Sequence, residues 1–219
     1  FQTFVCFVIM VYYGAVLAWG VQYTIYSVNA AWGDDPTTFF TDTFLQVVPG
    51  DTFSWAPAWS VMIPLALVWV LVLFVIGRGL SKGVEAANKV FLPLLVILFL
   101  ALVVRALFLP GAVEGLNAFF TPNWSALSDP KVWLAAFAQI FYSLSVGFGI
   151  MLTYASYLQR KSNLTGTALV AGFANSSFEI LAGIGVFSAV GFMAHQGGVS
   201  VSEVEGLTGP ILSFVTFPK

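Results

Sequence analysis

Residues 139–157 read QIFYSLSVGFGIMLTYASY, and the middle of this stretch decides the fold. It lies within an apolar run over 132–158, long enough to cross a hydrocarbon core ~30 Å thick. At its centre Ser143, Ser145, Gly147 and Gly149 take alternate positions, where a lipid-facing helix carries branched apolar residues. Glycine weakens a helix by roughly 1 kcal/mol relative to alanine, and serine offers backbone groups a competing partner. The spacing predicts a helix broken near 143–149, close to the bilayer midplane. Main-chain groups freed at that depth cannot face lipid, so they must line a cavity or bind something.

Composition agrees with a membrane setting. The 219 residues are 59% hydrophobic and only 8% charged, against roughly 25% charged in soluble domains. Mean hydropathy is +0.92. An all-α integral membrane protein is expected. A net charge of −2 argues against a nucleic-acid partner. Cys6 is the only cysteine, which excludes an intrachain disulfide. The chain opens inside an apolar stretch and stops in what reads as a loop, so a piece of a longer polypeptide is expected.

Outward from the broken segment, the chain reads as a single transmembrane region over 1–219 with five spans, at about 4–28, 58–76, 84–108, 132–158 and 164–194. The loop over 30–55 carries Asp34, Asp35, Asp42 and Asp51, with Pro36 and Pro49 as breakers, and a short surface helix is expected at 38–48. Arg78-Gly79-Leu80-Ser81-Lys82-Gly83 reads as a tight link. A second short helix is expected at 114–120, and another within the loop over 196–219. Arg78, Lys82 and Lys89 cluster at one short link, Arg160 and Lys161 at another, which places both links in the cytoplasm and the long loops outside.

Glu179 is the sharpest polar signal. An ionised carboxylate at bilayer depth costs at least ~2.5 kcal/mol, so its default reading is functional. Asn175 lies one helical turn away and faces the same way. The competing reading is a frayed helix start near the surface. For Tyr12, Tyr13, Tyr142 and Phe148 the competing reading is plain aromatic packing. Pro93, with Gly83 ten residues earlier, suggests a kink. His195 reads as interfacial, and Asn123-Trp124-Ser125 matches a glycosylation triplet. No span carries an aspartate, as an intramembrane aspartyl protease needs, and no Gly-x-Ser-x-Gly elbow is expected. One histidine and one cysteine cannot build a metal cluster. No enzymatic activity is expected.

Residues 139–149, followed by Thr153-Tyr154-Ala155-Ser156-Tyr157, closely resemble the sixth helix of the neurotransmitter:sodium symporters, above all the bacterial LeuT-type amino-acid transporters. Tyr12-Tyr13 with Trp19, the link from Arg78 to Glu85, Asp129-Pro130-Lys131-Val132-Trp133, and Asn175 with Glu179 extend the likeness over the whole chain. The five spans then resemble helices three to seven of an inverted-repeat fold. A discontinuous helix is a known property of that family, so agreement on this point is not independent support.

The resemblance implies a set of roles. Tyr13 would bind the substrate carboxylate and Ile9 would line the apolar side-chain pocket. Tyr142 and Phe148 would close over the substrate, and Ser145 would contact it through backbone and hydroxyl. Ser143 stands where the family has a sodium-coordinating threonine that also borders the substrate, and Asn175 matches that ion's carboxamide ligand. Oxygen ligands suit a hard cation. Glu179 would replace bound chloride, so chloride is not expected to be required. Gln139 resembles an outer gate residue, Ser156 and Tyr157 the cytoplasmic gate, and 83–93 the segment that unwinds on inward release. Tyr142 departs from an expected phenylalanine. The family's first and eighth helices, which supply the second sodium site and further substrate contacts, are not in this sequence and are implied partners.

The implied function is sodium-coupled symport of an apolar amino acid by alternating access, in a multi-pass protein of the inner (plasma) membrane, with lipid around it. A transporter-like amino-acid sensor that binds without turnover is the alternative.

Overall fold

The computed structural model describes residues 1–47, 56–159, 161–204, 209–216 and 218. Pro49, Asp51 and Arg160 lie outside them. The described residues are helical, with no strand among them. In chain order the α-helices are α1 (Gln2–Tyr26), α2 (Pro36–Thr38), α3 (Trp59–Gly77), α4 (Ala86–Leu107), α5 (Ala112–Phe120), α6 (Pro130–Ser143), α7 (Ile150–Ser156), α8 (Leu164–Gly197) and α9 (Gly209–Ile211).

Among the described residues, four helical stretches are long and apolar enough to cross a membrane: Gln2–Tyr26, Trp59–Gly77, Lys82–Leu107 and Leu164–Gly197. Even the 19-residue stretch is about 29 Å long at 1.5 Å per residue, enough for the hydrocarbon core. The expected fourth span is missing from this set because it is split into α6 and α7. On α4, Phe91, Leu92, Leu95, Ile97, Leu98 and Leu102 are all exposed. Such a surface is untenable in water and ordinary against acyl chains. This is an all-α integral membrane protein.

The chain divides into two compact units. One comprises Phe1–Phe7 and Phe99–Val204; the other comprises Val8–Leu98 and Glu205–Lys219.

In the second unit, the short surface helix expected at 38–48 begins at Pro36; Thr38, Asp42 and Thr43 are exposed on it, and its other side is buried. Asp35 caps α2, its Oδ1 accepting from Thr37 N at 3.1 Å and Thr38 N at 3.2 Å, with Pro36 in the first turn. The chain then widens into a π-helical turn, Phe39–Phe44. Phe40 and Phe44, four residues apart, both turn inward and pack with Tyr23 and Phe214 in a buried aromatic cluster. Tyr23 meets Phe44 at 5.3 Å and Phe214 at 4.9 Å between ring centroids, both edge-on. Each buried ring contributes roughly 1.5–3 kcal/mol.

The link after α3 is also shorter than its sequence suggests. Gly79 turns the chain at φ 82°, ψ 178°, and a π-helical turn at Leu80–Glu85 already leads into α4. A Cβ at Gly83 would lie 2.0 Å from the Val75 carbonyl oxygen, so glycine is needed for this close approach. Gly79-Leu80-Ser81-Lys82-Gly83 does have the literal Gly-x-Ser-x-Gly spacing of a nucleophile elbow. Here it joins helix to helix rather than strand to helix, so that context is lacking.

In the first unit α5 packs on the C-terminal half of α8 through small residues. A Cβ at Gly115 would sit 1.8 Å from Phe187 O, and one at Gly191 would sit 2.4 Å from Gly111 O. Glycine lets the two backbones touch, as at small-residue interfaces in membranes. His195 Nδ1 lies 3.9 Å from Glu114 Oε1, both exposed.

Candidate functional site

The break is built by its own sequence. Asp129 caps α6, accepting from Lys131 N at 2.9 Å, and Pro130 starts the helix without losing a needed donor. At the other end the ladder frays. Leu144 N still reaches Ile140 O, but Ser145 N bonds Tyr142 O and Val146 N bonds Phe141 O, each at 3.0 Å. Ser145 takes φ +52°, rare for a residue with a Cβ, and Gly147 and Gly149 follow at +82° and +77°. Strain of this kind collects at functional sites. Among the described residues, the carbonyls of Ser143, Leu144, Ser145, Val146 and Gly147 accept no hydrogen bond. The chain re-enters a helix at Ile150, where Thr153 gives Gly149 O both its N–H and its hydroxyl, each at 3.0 Å.

Directly at the end of α6, three polar side chains meet. The Ser143 hydroxyl donates to Glu179 Oε1. Asn175 Nδ2 donates to Ser143 Oγ at 2.6 Å and to Glu179 Oε1 at 3.1 Å. All three are half-buried. Asn175 and Glu179 stand one turn apart near the middle of α8, so Glu179 is not at a frayed helix start. The Glu179 side chain has two hydrogen-bond donors there, which partly offsets the cost of burying a polar group.

The remaining expected residues fall as follows. Tyr142 and Phe148 flank the break with ring centroids 6.0 Å apart and planes at 84°, an edge-to-face pair. Ser145 is the left-handed residue itself. Gln139 is exposed on α6, one turn before Ser143 and on its face. Ser156 Oγ donates to Thr153 O at 2.6 Å within α7, and Tyr157 caps that helix, exposed. Ile9 and Tyr13 lie one turn apart on α1 in the other unit, where Tyr13 packs edge-on against Tyr12 at 5.8 Å.

Two further residues touch the break and are not foreseen from sequence. Cys6 Sγ donates to Phe148 O at 3.0 Å, and Gln2 lies over Gly149. The available signal was the spacing of Gln2 and Cys6, four apart on one face of α1. No group of three or more His, Cys, Asp or Glu that could hold a metal occurs among the described residues. The donors at the break are hydroxyl, carboxamide, carboxylate and main-chain carbonyl oxygens, the set that suits hard cations.

A multi-spanning helical protein with one span interrupted by free main-chain oxygens and polar side chains is the architecture of ion-coupled membrane carriers. A model of the Sodium:neurotransmitter symporter family matches residues 29–219. The chain belongs to that family, and its fold is therefore part of the LeuT-type inverted-repeat transporter fold. It is 40% identical over 215 residues to an uncharacterized sodium-dependent transporter of Methanocaldococcus jannaschii, covering 97% of this chain and 43% of that protein. It is 35% identical over 182 residues to the human sodium- and chloride-dependent creatine transporter 1, covering 83% of this chain and 28% of that protein. With the rat sodium- and chloride-dependent taurine transporter identity is 38% over 162 residues, covering 74% and 26%. The chain thus spans less than half the length of these relatives.

Proposed function

We propose that this chain forms the cation- and substrate-binding part of a sodium-coupled amino-acid symporter working by alternating access in the plasma membrane, and that its spanning segments correspond to the family's helices three to seven. The observation that carries the reading is the helix interruption with the Ser143–Asn175–Glu179 cluster at its edge. Sodium is cargo here. Ser143 Oγ and the Asn175 carboxamide oxygen are its side-chain ligands, helped by the unpaired carbonyls of the break. The Asn175 carboxamide, in contact with Ser143 Oγ at 2.6 Å, gives its oxygen to the ion.

Glu179 supplies a fixed negative charge beside the ion. A carboxylate already in place does what a bound chloride does elsewhere, so transport needs no chloride. The sodium-dependent names among the relatives support the first half of this reading; the chloride-dependent names make the second half a point for test. Ser145 contacts substrate at the break, Tyr142 and Phe148 close over it, Tyr13 takes its carboxylate and Ile9 its apolar side chain. Gln139 serves the outer gate, and Ser156 and Tyr157 the cytoplasmic gate. Binding of sodium orders the break and raises substrate affinity, which couples the two fluxes.

Uptake of labelled apolar amino acids by the full-length transporter that contains this chain, in proteoliposomes, tests this. Uptake that collapses when sodium is replaced by potassium supports it, and uptake indifferent to that exchange excludes it.

A further inference from the structure

We infer that Cys6 is a positioning residue for the interrupted helix: its thiol holds the Phe148 peptide, and through it the aromatic wall of the break. Phe148 lies between Gly147 and Gly149, two left-handed glycines that give its peptide little restraint of their own. No helical amide reaches its carbonyl among the described residues. The Cys6 Sγ–Phe148 O bond of 3.0 Å, 142 residues apart in sequence, fills that gap. One turn earlier on α1, Gln2 closes over the next residue, since a Cβ at Gly149 would sit 3.1 Å from Gln2 Oε1.

Cys6 thus holds one point of the break, and Gln2 on the same helix face lies beside the next. Beside them lies a cleft of about 380 Å³, lined by Gln2, Thr3, Cys6, Phe148, Gly149 and Thr153 among others. It gives the segment room to move once the thiol lets go. The Phe148 ring makes the edge-to-face contact with Tyr142, so the thiol holds the backbone of a residue that forms the aromatic wall. A thiol is a weak donor. It positions the segment without freezing it, as a carrier that must release its cargo requires.

The transport half of this inference rests on the proposed function; the positioning half does not. Cys6→Ala and Cys6→Ser are compared with the unaltered protein in lipid nanodiscs and proteoliposomes. Amide exchange over 144–149 is read first. It should quicken by roughly threefold in C6A, the ratio that one modest hydrogen bond gives, and return in C6S, whose hydroxyl can donate in place of the thiol. KM for substrate should rise by a similar factor in C6A with kcat little changed, and recover in C6S. Exchange over 144–149 that is equal in C6A and the unaltered protein overturns the inference. So does a C6S variant as fast as C6A while its Tm is unchanged. If no variant transports anything, the exchange rates still decide the role of Cys6, and the failure falls on the functional reading alone.

Discussion

The Ser143 hydroxyl at the end of α6 donates to the Glu179 carboxylate on α8, 36 residues later in the chain. It thereby ties the point where one helix stops to the middle of another that does not. A hydroxyl that also accepts from Asn175 has both its donor and an acceptor site engaged. Change at any member of this trio reaches the other two.

Replacing Glu179 by serine removes the charge and leaves a site an anion can enter. Transport by Glu179→Ser should become dependent on chloride, with uptake in chloride-free buffer falling about tenfold or more, the cost of leaving a charge-assisted site uncompensated. Undiminished uptake without chloride would show that the carboxylate does not stand in for an anion.

Tyr13 offers one hydroxyl to the substrate carboxylate in the proposed site. Tyr13→Phe keeps the ring and should weaken substrate binding by roughly tenfold, as expected for a hydrogen bond to a charged group. Equilibrium binding of a labelled amino acid measures this directly, and an unchanged Kd would take Tyr13 out of the site.

The α5–α8 contact gives a stability prediction. Gly115→Ala forces a methyl group to within 1.8 Å of Phe187 O, and backbone has to yield. A loss of about 1–3 kcal/mol is expected, seen as a lower Tm in detergent. Gly172→Ala on the same long helix meets nothing within 4 Å. There the gain in helix propensity should leave Tm equal or higher. A Gly115→Ala protein as stable as Gly172→Ala would mean the helices do not pack this closely.

How much of this was legible in the sequence follows from what each residue needs. The break was legible because Ser143, Ser145, Gly147 and Gly149 act locally, through weak helix propensity and tolerance of positive φ. The Asn175–Glu179 pair was legible for the same reason, a spacing of one turn. The buried side of the short surface helix was not foreseen, because the partners of Phe40 and Phe44, Tyr23 and Phe214, lie far away in sequence. Cys6 was read only as excluding an intrachain disulfide, since its partner is a main-chain oxygen that carries no side-chain signature. Gly115 and Gly191 were not singled out in the sequence, because nothing local says which helix they admit.

Outside the spans, a capping box closes the turn at Val201–Glu203, with Ser200 N donating to Glu203 Oε2 at 2.9 Å. The backbone N–H of Ser200, then its side chain, hold the Glu203 carboxyl below its ordinary value of 4.5. A carboxyl with a lowered folded pKa stabilises the turn fully above its unfolded value and loses that contribution as pH falls through the folded one. Amide protection at Ser200 should therefore persist at neutral pH and fade only below about pH 4.5, and Glu203→Gln should flatten this profile. A pH profile identical in the two proteins would count against the box.

The central claim is that the side chains bordering the interrupted helix hold sodium. The most direct test is the sodium concentration that half-saturates amino-acid binding, measured for the unaltered protein, Ser143→Ala and Asn175→Ala. Loss of one oxygen ligand should raise that concentration by about tenfold in each variant, with substrate binding recovering at high sodium. Half-saturation unchanged in both variants would contradict the account.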